Sequence, residues 1–239
     1  HWFGNALLPD GIPIVASARA IEDMRAAPAA AVNVLFNDLD LGPEFDAFAE
    51  RAMRKFDFAS VVERLPTESF EGRHELRVGD RGVDLIELGP AHTLGDTIAH
   101  VPDANVVFTG DLLFIEGTPI MWDGGAGQLS NWLTACDRII ELGARTIVPG
   151  HGPVTDDSGV RDVQRYLVYV RDEATKRFEA GMDETAAADD IDLTDFRDWG
   201  DPERIAVNVV TIYRELDPSL PALTRPELFV RMAHWSARH

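Results

Sequence analysis

Short apolar runs alternate along this chain with longer stretches of helical spacing, and the alternation predicts a mixed α/β protein. Residues 12–17 (Ile-Pro-Ile-Val-Ala-Ser) read as a short buried strand, after which Ser17 caps a helix running to about Ala26. Pro43 opens a helix over 43–56 that places Phe45, Phe48, Ala49, Ala52, Met53 and Phe56 along one face. Residues 74–78 and 83–89 form a hairpin about Gly79-Asp80-Arg81-Gly82, and 98–101 with 105–109 form a second strand pair turning at Pro102-Asp103-Ala104. A helix over 128–142 carries Leu129, Trp132, Leu133, Cys136, Ile139 and Ile140 on one face, and Gly143 stops it. Strand 145–148 follows.

From about residue 158 the pattern becomes wholly helical. Val160, Val163, Leu167, Val170 and Ala174 define an amphipathic helix ending at Gly181. Residues 183–203 hold nine acidic side chains and one arginine, which predicts a solvated connection. Asp201-Pro202 opens a helix with Ile205, Val209, Ile212, Tyr213 and Leu216 on one side, and Pro226 opens a last one with Leu228, Phe229, Met232 and Trp235. The division predicted is a domain over 1–157 and a helical extension over 158–239. The terminal helices are expected to pack on the first domain or on a second copy of the chain, giving a homo-oligomer.

Composition sharpens this only at a few points. A chain of 239 residues, 45% hydrophobic and 26% charged, is long enough for a substantial core and is not compositionally disordered. Its net charge of −19 argues against nucleic acid and anionic membrane surfaces as partners, leaving a small-molecule substrate. Cys136 is the only cysteine, so no internal disulfide framework exists, and its place in a helical stripe makes it a buried apolar residue. No apolar run is long enough to span a bilayer. The expected location is cytoplasmic.

The chemistry is concentrated in three segments: Ala91-His92-Thr93-Leu94-Gly95-Asp96, Phe108-Thr109-Gly110-Asp111 and Pro149-Gly150-His151-Gly152. Each follows a predicted strand. His92 and Asp111 are 19 residues apart, and Asp111 and His151 are 40 apart, so only a β-rich core can bring them together. Two imidazoles and a carboxylate form a good ligand set for a borderline divalent ion such as Zn²⁺. The chain has no Gly-x-Ser-x-Gly, no Walker loop and no Gly-x-Gly-x-x-Gly, and Gly124-Gly125-Ala126-Gly127 has the wrong spacing for either glycine motif. His74, His100, His234 and His239 lack such a context and read as surface or internally satisfied histidines.

In this order the three segments resemble the metallo-β-lactamase superfamily. Gly89-Pro90-Ala91-His92-Thr93 is similar to its third-histidine motif, Thr109-Gly110-Asp111-Leu112-Leu113-Phe114 to its bridging-aspartate motif, and Pro149-Gly150-His151-Gly152 to its last-histidine motif. His1-Trp2-Phe3-Gly4-Asn5 resembles the end of the first motif, His-x-His-x-Asp-His followed by Gly-Asn. The expectation is that the sequence begins within that motif and that the fold is incomplete at its N-terminus.

The resemblance implies an αββα sandwich with a helical C-terminal extension, binding one or two zinc ions, with iron or manganese as alternatives. His1, His92, Asp111 and His151 would be the ligands. His92 would help hold one ion, His1 and His151 the other, and Asp111 would bridge them and be the catalytic carboxylate. Asp96 would either orient a ligand histidine or tie the local turn. Trp122-Asp123-Gly124-Gly125 follows the Asp111 strand; Trp122 is a candidate for the pocket mouth or for packing alone, Gly124 and Gly125 read as a Gly-rich turn, and Phe45, Phe48 and Phe56 are secondary candidates for the pocket lining. The implied activity is hydrolysis of a small ester, lactone, thioester or amide through a metal-bound hydroxide, with glyoxalase-II-like thioester cleavage as the nearest alternative chemistry. A metal-poor scaffold that binds a ligand or partner without turnover is the reading from a different class.

Overall fold

The computed structural model describes residues 1–122 and 128–239. Its centre is a five-stranded sheet: β3 (Arg73–Val78), β4 (Arg81–Glu87), β5 (Thr97–Val101), β6 (Val106–Phe114) and β7 (Thr146–His151), in that spatial order. The first four strands are antiparallel meanders, and β7 joins β6 in parallel after a helical crossover. Val78 pairs with Arg81, so Gly79 and Asp80 alone make the β3–β4 turn, with Gly79 at a φ of +65°. The second β layer is a two-stranded parallel ribbon of β1 (Val15–Ser17) and β2 (Glu68–Phe70). The mixed α/β class and the helical C-terminal region are as the sequence predicts.

Local chemistry explains most helix boundaries. In α1 (Ala18–Ala26) the Ser17 hydroxyl accepts from the Ala20 N–H and itself donates to the Gly95 carbonyl at 2.9 Å. The short helix α2 (Ala29–Asn33) and a wide turn over Val34–Asp38 follow; neither is evident from periodicity. Helix α3 (Pro43–Ala52) ends four residues before the predicted limit. Phe45 and Phe48 are buried, whereas Phe56 is exposed beyond the helix. Phe48 lies against Phe229, so it lines the core.

Helix α4 (Gln128–Glu141) and α5 (Asp157–Glu179) pack against β6. Asp156 caps α5 by accepting from the Ser158 N–H, and Thr224 with Glu227 forms a capping box for α8 (Arg225–Arg238). The acidic connection is more ordered than its charge suggests. Within it lies α6 (Glu184–Asp190), whose Ala187 and Ala188 are buried, followed by buried Ile191 and Phe196. Its acidic groups face outward to Arg177, Arg231 and Arg238. Helix α7 (Ile205–Leu216) is buried on every side from Ile205 to Tyr213, which places it inside the core. One apolar cluster joins β6, α4, α5, α7 and α8, with Trp132, Leu112, Ile147, Tyr166 and Val209 at its centre. Among the described residues no helix is long and apolar enough to cross a membrane.

Candidate metal centre

The loop after β4 is built around Asp96. Its Oδ2 accepts the N–H groups of Ala91 at 3.1 Å and Thr93 at 2.8 Å, and its Oδ1 accepts the Thr93 hydroxyl at 2.7 Å. The Asp96 carbonyl also receives the N–H groups of Leu88 and Gly89. The carboxylate therefore closes the turn on both sides of His92, the turn-tying alternative of the two predicted for it. From α4, the Asn131 amide donates to the carbonyls of Leu88 and Pro90, and Gln128 donates to that of Ala91. Burial pushes the Asp96 carboxyl up to about 6, against the pull of its Thr93 and Ala91 donors.

His92 is buried, with Phe114 at 5.4 Å and Trp132 at 6.1 Å between ring centroids. Its Nδ1 lies 3.0 Å from the Ile120 carbonyl oxygen. A carbonyl only accepts, so Nδ1 carries the proton and Nε2 presents a bare lone pair. That Nε2 is 3.5 Å from Asp111 Oδ2. Burial lowers the His92 pKa to about 4, so the ring is neutral at physiological pH.

Asp111 lies within β6, not after it. The β6–β7 register shifts between Gly110, which faces Pro149, and Phe114, which faces His151. Such an irregularity turns one side chain out of the strand's alternation. Gly150 makes the close approach feasible: a Cβ there would lie 2.1 Å from Asp111 Oδ1 and 2.7 Å from the Gly110 carbonyl carbon. His151 Nε2 is 3.4 Å from the same Oδ1, and its ring stacks on Phe114 at 4.6 Å between centroids. His1 Nε2 is 3.0 Å from Oδ2. Burial opposes the Asp111 charge, but hydrogen bonds from His1 and His151 outweigh it, so the carboxyl titrates well below the usual range. The His1 pKa is raised, chiefly by its bond to Asp111.

The structure thus gathers His1, His92 and His151 around the two oxygens of Asp111. Among the described residues, His1, Asp111 and His151 form a group of three whose donor atoms lie within 4.8 Å of one another. His92 meets that group through Asp111. In a tetrahedral site with bonds of about 2.0–2.2 Å, neighbouring donors are roughly 3.3–3.6 Å apart. The spacings of 3.4 and 3.5 Å from Asp111 to His151 and His92 match this, and the 3.0 Å to His1 is slightly short. The donor set and its spacing fit a divalent ion.

Trp122 packs beneath α8, with the Arg225 guanidinium 4.2 Å over its ring and Phe229 at 5.4 Å. Asp123, Gly124, Gly125, Ala126 and Gly127 lie outside the described residues. His74 stacks on Phe70 and His239 on Trp235, away from the centre. The sequence reading missed the Ile120 carbonyl, which no residue type signals, and the aromatic bed of Phe114, which lay unweighted in the bridging-aspartate motif.

For this fold, with histidines grouped about one aspartate, the sequence comparison names the family. A family model for the metallo-beta-lactamase superfamily matches residues 1–151, and the chain belongs to that superfamily. It is 33% identical over 78 residues to the beta-lactamase-like protein 2 homolog of Caenorhabditis elegans, covering 33% of this chain and 24% of that protein. It is 31% identical over 98 residues to the probable metallo-hydrolase YqgX of Bacillus subtilis (strain 168), covering 41% and 46%. The matched part is less than half the length of either relative. The crystal structure of the metallo-beta-lactamase family protein TTHA1429 from Thermus thermophilus has the same fold, with a TM-score of 0.58 at 14% identity over 94% of this chain and 72% of that one.

Proposed function

We propose that the chain carries the catalytic centre of a zinc-dependent hydrolase of a small ester, lactone, thioester or amide. The observation that carries this is the convergence of three imidazole Nε2 atoms on one ionised carboxylate. His1, Asp111 and His151 would hold an ion, and His92 with Asp111 would offer two donors toward a further one. A bound Zn²⁺ supplies Lewis acidity, lowering the pKa of a coordinated water to about 7 and polarising a carbonyl. The protein's own part is to keep the donors in the right protonation state. His92 stays neutral through burial, with its proton parked on Nδ1 against Ile120. Asp111 stays ionised through neutral pH and can accept a hydrogen bond from an attacking water. Phe114 and Trp132 wall off the buried side of His92, whereas the His1 and His151 side is open for a substrate to approach. The probable metallo-hydrolase named among its relatives supports the same class. The lone buried Cys136 fits a reducing, cytoplasmic setting.

The test is elemental analysis of the purified chain together with a hydrolysis screen over ester, lactone, thioester and β-lactam substrates. The expected result is retained zinc, with turnover abolished by chelation and restored by Zn²⁺. A chain that retains no divalent ion and turns over none of these substrates would favour the non-catalytic scaffold.

A further inference from the structure

Residues 118–121, which follow β6 and fix His92, belong to neither sheet, yet Ile120 and Met121 are buried. Its backbone groups must find partners elsewhere. They find them in the C-terminal region. The Thr118 carbonyl accepts from Arg204 at 2.7 Å, and the Thr118 N–H donates to the Gly200 carbonyl at 2.9 Å. The Asn208 amide then straddles Ile120: its Nδ2 donates to the Pro119 carbonyl at 2.9 Å, and its Oδ1 accepts the Met121 N–H at 2.8 Å. The Thr211 hydroxyl donates to the Met121 carbonyl at 2.7 Å. Arg204, Asn208 and Thr211 lie at four- and three-residue intervals, on one face of α7 and of the turn that leads into it.

Asn208 and Thr211 are the polar exceptions in an otherwise apolar buried stretch, Ile205–Tyr213, apart from the terminal Tyr213 hydroxyl. A buried amide is costly unless fully bonded. Asn208 is fully bonded, since its second N–H donates to the Tyr166 hydroxyl at 3.1 Å. Both exceptions aim at the residues flanking the one carbonyl that accepts the His92 Nδ1–H. We propose that Asn208 and Thr211 are positioning residues of the metal centre: they clamp residues 119–121 so that the Ile120 carbonyl fixes the tautomer and aim of His92. The proposal rests on the metal-site reading above and extends the centre to a helix beyond the 1–151 family match. Polar groups that orient a ligand histidine from outside the metal typically change metal affinity about 10- to 100-fold when removed.

The experiment compares wild type with Asn208→Leu, Thr211→Val and Thr211→Ser. The readouts are the ¹⁵N shifts of the His92 ring in the metal-free chain and the affinity and visible spectrum of Co²⁺. Wild type should show a protonated Nδ1 and a bare Nε2. Asn208→Leu should give a mixed tautomer, an altered cobalt spectrum and affinity down about 10- to 100-fold. If Asn208→Leu fails to fold, the threonine pair decides alone. Thr211→Val keeps shape and loses the hydroxyl, and should show the same changes in smaller degree. Thr211→Ser keeps the hydroxyl and should match wild type. A packing role predicts the reverse order, with valine tolerated and serine not. Wild-type tautomer and affinity in Thr211→Val would overturn the proposal. If wild type itself binds no Co²⁺, the metal reading fails, and the ring shifts still judge the clamp separately.

Discussion

Gly150→Ala is the sharpest probe of how the centre is built, because one methyl group tests the seam between β6 and β7. The added Cβ would sit 2.1 Å from Asp111 Oδ1, 2.7 Å from the Gly110 carbonyl carbon and 2.8 Å from the Asp111 N. Real Cβ atoms essentially never approach a neighbour within 3.0 Å, so the carboxylate oxygen must retreat by at least the difference, 0.9 Å. Two of the three obstacles are backbone, so a side-chain rotation alone does not relieve the clash. Metal–ligand bonds tolerate about ±0.2 Å, and a 0.9 Å shift of one donor is several times that. Overpacking of this kind costs about 1–3 kcal/mol, which for a chain this long lowers Tm by roughly 2–12 °C. The fold should therefore survive, while Zn²⁺ affinity falls at least about 100-fold. Competition with a chelator reads the affinity, and thermal unfolding followed by circular dichroism reads the fold. A folded Gly150→Ala chain with wild-type zinc affinity would refute the claim that Asp111 Oδ1 is held in place by the absence of a side chain at 150.

Asp111→Asn removes a charge that the hydrogen bonds from His1 and His151 stabilise against burial, so the metal-free variant should unfold at a lower temperature than wild type at neutral pH and should retain less than about a tenth of the metal; undiminished metal content by elemental analysis would contradict its role as the shared ligand. Asp96→Asn tests pH linkage. Burial raises the Asp96 pKa from 3.8 to about 6, so the protonated form is favoured in the folded chain. Wild type should therefore lose about 2 kcal/mol relative to Asp96→Asn as pH rises from 4 to 6 in the metal-free chain, read by urea titration at several pH values. Trp132→Phe removes the indole N–H that donates to the Leu112 carbonyl at 2.9 Å. Leaving that buried acceptor unpaired should cost about 1–3 kcal/mol in urea unfolding, and no loss at all would mean that water or a neighbour replaces the bond.

The helices and the meander were legible because their signals are local. Ser17, Pro43, Gly143 and the Gly79-Asp80 turn act on the residues beside them. The elements that went unread depend on partners remote in sequence. Strand β2 exists because Glu68–Phe70 pairs with Val15–Ser17, about fifty residues earlier, and three residues carry no periodicity of their own. The acidic stretch hid α6 for a related reason. Its helix signal is a run of alanines, whose burial becomes visible only once Arg177, Arg231 and Arg238 are placed against the surrounding carboxylates.

The centre divides the same way. His92, Asp111 and His151 announce themselves by residue type and by following apolar runs in the sequence, so the gathering of donors could be anticipated. The features that set their protonation and direction are backbone groups and an absent side chain: the Ile120 carbonyl, the register shift in β6, and Gly150. No residue type marks a carbonyl as a histidine's partner. The trace it leaves in the sequence is indirect, an asparagine and a threonine standing where α7 is otherwise apolar. A buried amide is retained in such a place only if its bonds repay its desolvation, and those bonds point to the segment that holds His92. Polar exceptions within apolar helices are therefore where sequence reading can extend a metal centre beyond its ligands.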